Sequence, residues 1–175
     1  MKKIIAIVVL ILVSNVLFAQ TVFDKYDGQD GVTSIVVNKK MFQMMSSVKV
    51  DANDKETQQY LSLMKKLDNL KVFTTTNTKL SADMKSTAEK YLKTAGLEEL
   101  MRVNDGGKNV RILVKSGSTD NQVKELLMFI ENASKQNETV LMSLTGSFNL
   151  SEIAILTDKM KIPGGDDLKK ATKTK

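Results

Sequence analysis
The sequence has no cysteine, no histidine and no tryptophan. Without cysteine there is no disulfide, no thiolate metal site and no sulfur nucleophile. Without histidine there is no imidazole base, which closes off Ser-His-Asp catalysis and His-ligated metals. Neither Gly-x-Gly-x-x-Gly nor Gly-x-x-x-x-Gly-Lys-Ser/Thr occurs among the nine glycines, so nucleotide binding by either route has no support. The chemistry left to the chain is that of carboxylates, lysine, tyrosine and the hydroxyls of serine and threonine, or none.

What is present fits one compact domain: 175 residues, 42% of them hydrophobic, suffice for a single core. Lys2 and Lys3 precede an apolar run, Ile4 to Val13, which resumes after Ser14-Asn15 as Val16-Leu17-Phe18-Ala19. Two lysines, a short hydrophobic stretch and a small residue before Gln20 predict a secretory signal peptide over residues 1–19, cleaved after Ala19. The run is short for a membrane span of ~20 residues, and no cysteine stands at the cleavage point to carry a lipid. The expected mature protein is exported, periplasmic or extracellular, without a stable membrane anchor.

The formal charge of +6 is carried by the two ends. Lys2 and Lys3 account for two of the six, and Lys169, Lys170, Lys173 and Lys175 for the other four, which leaves residues 20–168 balanced. Neither arginine, Arg102 or Arg111, lies in a basic run. A nucleic-acid interface needs a clustered basic face, so no nucleic-acid partner is expected.

Along the mature chain, β-branched Val32 to Val37 predicts a first strand. Asn38 is an N-cap candidate for a short helix with Met41, Met44, Met45 and Val48 at helical spacing on a buried face. A second helix carries Tyr60, Leu61, Met64 and Leu67. Leu70 to Thr76 reads as a strand, and residues 79–95 as the clearest helix, with Leu80, Met84, Ala88, Tyr91, Leu92 and Ala95 in one stripe ending at Gly96. The period then changes to two. Leu97 to Val103 and Val110 to Lys115 form a hairpin across Asn104-Asp105-Gly106-Gly107-Lys108. Val123 to Ile130 fits strand or helix by periodicity, and its length between turn signals favours a strand. Thr139 to Thr145 is a further strand. Asn149-Leu150-Ser151-Glu152 resembles a capping box that starts a last helix with Leu150, Ile153, Leu156 and Met160 buried. Pro163-Gly164-Gly165 stops it.

Consecutive strands joined by short turns imply antiparallel pairing. The expected fold class is α+β: a largely antiparallel sheet with helices packed mainly on one face, occupying residues 20–165, with 166–175 a basic disordered tail. Val110, Ile112, Val114, Leu127, Phe129, Val140, Met142 and Leu144 are expected on one face. The helix at 79–95 is expected against it, with Ile153 and Leu156 alongside.

Candidate sites are few. Met41, Met44 and Met45 place three thioethers at i, i+3 and i+4, a pattern that suits Cu(I), but Met64, Met84, Met101, Met128, Met142 and Met160 also sit at core-like places, which makes methionine the core filler here. Asp24, Asp27 and Asp30 with Gly28 and Gly31 hint at calcium. Their spacing of three and the missing closing glutamate instead describe a solvated acidic turn. Ser46-Ser47-Val48-Lys49 and Ser62-Leu63-Met64-Lys65 match Ser-x-x-Lys, but thirteen serines and twenty-four lysines yield about two such matches by chance, and the partner motifs are missing. Asp105-Gly106-Gly107 is a turn. Glu98-Glu99 and Asp166-Asp167 are adjacent acids that make no dyad by themselves. No catalytic, metal or cofactor-binding residue is assigned, and no cofactor is expected.

The exported start, the Val-Asn-Lys-Lys-Met-Phe-Gln-Met-Met segment at 37–45, and the pattern from Glu125-Leu126-Leu127-Met128-Phe129-Ile130 to Val140 and on to Ile153 resemble one family. It is the domain-of-unknown-function family numbered forty-two fifty-two, small exported proteins chiefly of Bacteroidota, and the resemblance covers about residues 25–165. Because many members look like lipoproteins, this chain departs from them in lacking the cysteine. The resemblance implies no catalytic residue. The expected function is a non-enzymatic envelope or periplasmic module that binds another protein or a small ligand. The alternative is a hydrolase or transferase whose carboxylates meet only in the fold.

Overall fold
The computed structural model describes residues 22–51, 54–119, 121–133 and 137–173. The segment assigned to a signal peptide lies outside the described residues. After a 3-10 turn at Asp24–Tyr26 come β1 (Thr33–Asn38), α1 (Lys39–Met45), α2 (Lys55–Lys66), β2 (Leu67–Thr75) and α3 (Thr78–Ala95). A four-strand meander follows: β3 (Glu98–Asp105), β4 (Lys108–Ser116), β5 (Gln122–Glu131) and β6 (Thr139–Asn149). Helices α4 (Ile153–Met160) and α5 (Gly165–Lys173) close the chain.

Local chemistry explains the boundaries. Asn38 Oδ1 accepts from Met41 N at 3.0 Å, so the residue that ends β1 also starts α1. Asn77 does the same for α3 through Lys79 N and Leu80 N. The expected capping box forms, with Asn149 N donating to Glu152 Oε2 at 2.9 Å. Between β3 and β4, Gly106 and Gly107 both have positive φ, the requirement of a two-residue turn whose twist matches the strands it joins. Residues 123–130 are a strand, which resolves the ambiguity of their apolar run.

All six strands pair antiparallel in the order β1-β2-β6-β5-β4-β3. The meander returns β6 to the middle, beside β2, while α3 carries the chain from β2 to the far edge. That step crosses four strand spacings, ~19 Å, and a helix of 18 residues reaches ~27 Å. α3 therefore has to run across one face of the sheet.

That crossing corrects the expected core. Val110, Ile112 and Val114 face Ile130, Met128 and Leu126 across the β4–β5 ladder. With Val140, Met142 and Leu144 they form one core, which also takes Phe42 of α1, Leu63 and Met64 of α2, Ile153 and Leu156 of α4, and Leu168 of α5. Leu127 and Phe129 have the other parity. They pack on the opposite face with Leu113, Leu141 and Phe73, beneath Met84, Ala88 and Tyr91 of α3. So Leu127 and Phe129 do not join Val110 and Ile112, and Ile153 and Leu156 do not lie beside α3, because a period of two sends alternate residues to opposite faces. Four helices cover one face, in keeping with the expected class, and α3 with the N-terminal 3-10 turn covers part of the other.

The C-terminal expectation also fails. α4 ends at Met160 with Lys161 in the left-handed conformation, and after Pro163-Gly164 the chain resumes as α5, whose Leu168 is 1% exposed and whose Asp167 receives Lys108 Nζ at 2.7 Å. One leucine and one half-buried ion pair dock a segment that its lysines alone mark as tail-like.

Candidate functional site
The residues that the sequence singles out for chemistry are dispersed. Asp24 pairs with Lys71, and Asp27 accepts from Ser34 Oγ at 2.8 Å. Asp30 is exposed. The three aspartates thus do not converge on one point: Asp24 is tied to β2 and Asp27 to β1. Ser46 and Ser47 both donate to Gln43 O at 2.8 Å, closing the end of α1, while Ser62 and Lys65 are exposed on α2. Glu99 holds both arginines: Arg102 Nε and Nη2 at 2.8 and 2.7 Å, and Arg111 Nε at 2.9 Å. This arrangement depresses the Glu99 carboxyl below its ordinary range.

The methionine stripe is not the buried face it was expected to be. Phe42 and Met45, three apart, turn α1 toward the core, whereas Met41 is 50% and Met44 60% exposed. Phenylalanine brings the larger apolar area and fixes the helix phase. Elsewhere methionine does fill the core: Met64, Met84, Met128 and Met142 are fully buried.

The sequence reading missed Glu125. It sits on the α3 face, 5% exposed, and Tyr91 Oη donates to its two carboxyl oxygens at 2.7 and 2.9 Å. Burial raises its pKa above the ordinary carboxylate value, against the hydrogen bond from Tyr91 and the charge of Lys115, which lower it. Burial and the neighbouring carboxylate push the Tyr91 hydroxyl upward as well. Thr145 faces Glu125 across the β5–β6 ladder, yet its Oγ1 is buried without a hydrogen-bond partner. The signal was a lone acid in an apolar strand at the parity of Leu127 and Phe129. The pair is sealed under α3 and locks that helix to the sheet; it does not present an acid to substrate.

Two of the concavities among the described residues are open and lined by charge. One, ~420 Å³, lies at the α4–α5 connection, where Lys108, Lys161 and Lys169 meet Glu138, Asp166 and Asp167. The other, ~260 Å³, lies beside α3 over β3 and β4, where Lys85, Arg102 and Arg111 meet Glu89 and Glu131. In both, acids and bases alternate, and Lys108 and Lys85 are committed to Asp167 and Glu131. Neither concavity gathers unopposed carboxylates for acid–base work, and no group of three or more acidic side chains placed to hold a metal occurs among the described residues.

The sheet edges differ more sharply. β3 carries Glu98, Glu99, Arg102 and Asp105 and a register shift between Glu99 and Met101. Charge and bulge are the usual protection of an edge strand. β1 reads Thr-Ser-Ile-Val-Val-Asn, without charge or proline, in regular register with β2. Ile35 is 41% exposed on one face and Val36 44% on the other. Met41, Met44 and Val48 extend this apolar surface along and beyond α1. Its ends are charged: Asp27 and Asp30 before β1, Lys39 and Lys40 after it. Among the described residues no further strand pairs with this edge, which leaves a ladder of backbone donors and acceptors.

Residues 26–156 match the sequence profile of the family described as Domain of unknown function (DUF4252). No curated protein and no solved structure matches the chain.

Proposed function
We propose that this chain, which belongs to the domain-of-unknown-function family DUF4252, is an exported, non-enzymatic module that binds another envelope protein by adding an extended segment of it to the β1 edge. The observation that carries the reading is the contrast between the two edges, one charged and bulged, the other uncharged and regular. In strand addition the backbone ladder supplies affinity and the alternate side chains supply selectivity. On this edge those are Ile35 on one face and Val36 on the other, with the α1 methionines nearby as adaptable apolar contacts. The charged ends favour a segment with a basic residue near Asp27 and Asp30 and an acidic one near Lys39 and Lys40. Residues 1–19 would act as the export signal, and no helix among the described residues is long and apolar enough to cross a membrane.

The carboxylate-enzyme alternative loses support from the sealed position of Glu125 and the neutralised concavities. The test is capture from envelope extract by immobilised protein beginning at Gln20, comparing wild type with Val36→Lys. Proteins retained by wild type and lost with Val36→Lys support the reading. Identical retention by both overturns it. Mass spectrometry of exported material should show a chain that starts at Gln20.

A further inference from the structure
The edge that accepts a foreign strand is also complementary to itself, and we propose that its resident occupant is a second copy of this chain, paired β1 to β1 about a two-fold axis. The inference rests on the edge reading above; the second copy and a foreign segment would compete for the same ladder.

Two copies joined edge to edge in antiparallel fashion are related by an axis normal to the sheet, so each face of one continues the same face of the other. Facing residues must then share a face. With Val36 on the axis, Val36 faces Val36, Ile35 faces Val37 twice, and Ser34 faces Asn38 twice. Ile35 and Val37 do share a face, since they lie opposite Val72 and Leu70 of β2, both in the core under α1 and α2. Centring on Ile35 instead sets Ser34 against Val36 and Thr33 against Val37, with fewer apolar pairs. The Val36 register is therefore favoured.

Charge selects the same arrangement. Asp27 and Asp30 precede β1 and Lys39 and Lys40 follow it, so the antiparallel copy brings the acidic end of each strand to the basic end of the other. A parallel neighbour would set like charges together. Asp27 is held on Ser34 and Lys39 on Asp68, whereas Asp30 and Lys40 are exposed and available for the contact. Both α1 helices fall on one side of the joined sheet, adding their exposed methionines to the same surface.

The absence of cysteine makes the test clean. Wild type should sediment as a dimer at micromolar to near-millimolar concentration. Val36→Lys, which opposes two lysines across the axis, should weaken association by about tenfold or more. Because Val36 is exposed, circular dichroism should show the fold unchanged. Independently, Val36→Cys should be bridged across the axis by a short bismaleimide, whereas Leu100→Cys on the β3 edge should not. Lys40→Glu should weaken the dimer, and adding Asp30→Lys should restore it. A wild type that stays monomeric throughout overturns the proposal, as does a dimer indifferent to Val36→Lys or bridged through Leu100→Cys. A monomer that still loses its captured proteins on Val36→Lys removes the second copy and leaves the edge reading standing.

Discussion

Replacing Tyr91 with phenylalanine probes a buried ionisable pair, and the sign of its pH dependence follows from the structure. Glu125 is buried and its folded-state pKa lies above the ordinary value of 4.5. As pH rises past 4.5 the unfolded chain ionises first, so the folded state binds more protons and stability falls until pH passes the raised value. This is opposite to the behaviour of Asp83 and Glu99, whose pKa values are depressed by Lys25 and by Arg102, and whose contributions are lost as pH falls. Differences between variant and wild type at one pH cancel those contributions. At a pH above the raised value the Tyr91 hydroxyl donates to a carboxylate, a bond worth about 1.5–3 kcal/mol; below pH 4.5 it meets a neutral carboxyl and is worth about 0.5–1.5 kcal/mol. Tyr91→Phe should therefore cost more above the raised value than at pH 4, by about 1 kcal/mol on the same figures. It should also extend the fall in stability to higher pH, because the hydrogen bond that favours ionisation is gone. Glu125→Gln should remove that fall. Urea unfolding of wild type and both variants at the two pH values measures this. An equal cost of Tyr91→Phe at both pH values, or an unchanged pH slope in Glu125→Gln, would refute the reasoning.

The remaining predictions concern packing. Leu168→Ala should cost about 2–5 kcal/mol, as a fully buried large-to-small change does; denaturant midpoints check it, and a negligible change would mean that α5 does not dock. Phe42→Ala should cost about 3–5 kcal/mol, while Met44→Ala, two residues on in the same helix, should stay within about 0.5 kcal/mol; thermal melts of both separate the inward and outward faces of α1. Gly146→Ala sets a Cβ 2.4 Å from Lys66 O, a backbone atom with no room to yield, and should lose about 1–3 kcal/mol or more in urea titrations.

The local elements were legible because their determinants are local. Asn38, Asn77 and Asn149 cap helices by bonds to residues two or three positions away, and Gly106-Gly107 closes its turn from within. The antiparallel class followed from short turns between strands of period two. The proposed docking edge was less legible. β1 was readable as a strand, but that it lies at an edge depends on α3 carrying the chain across the sheet and on the meander returning β6 to β2. Glu125 could be seen as a lone acid in an apolar strand, yet its partner lies 34 residues earlier on a helix that had to arrive above it.

The sequence by itself determined the chemistry available to this protein, the caps, turns and strand periods, and the balance of charge over residues 20–168. Tertiary structure alone decided which face each strand residue joined, because a sheet covered on both sides leaves apolar residues at both parities and removes the polar alternation that would have marked the outside. It alone docked α5 through Leu168 and turned Met41 and Met44 outward, since Phe42 competes for the same place beneath α1. And it alone set β1 at the edge of the sheet, for an edge is a property of strand order, which local sequence does not encode.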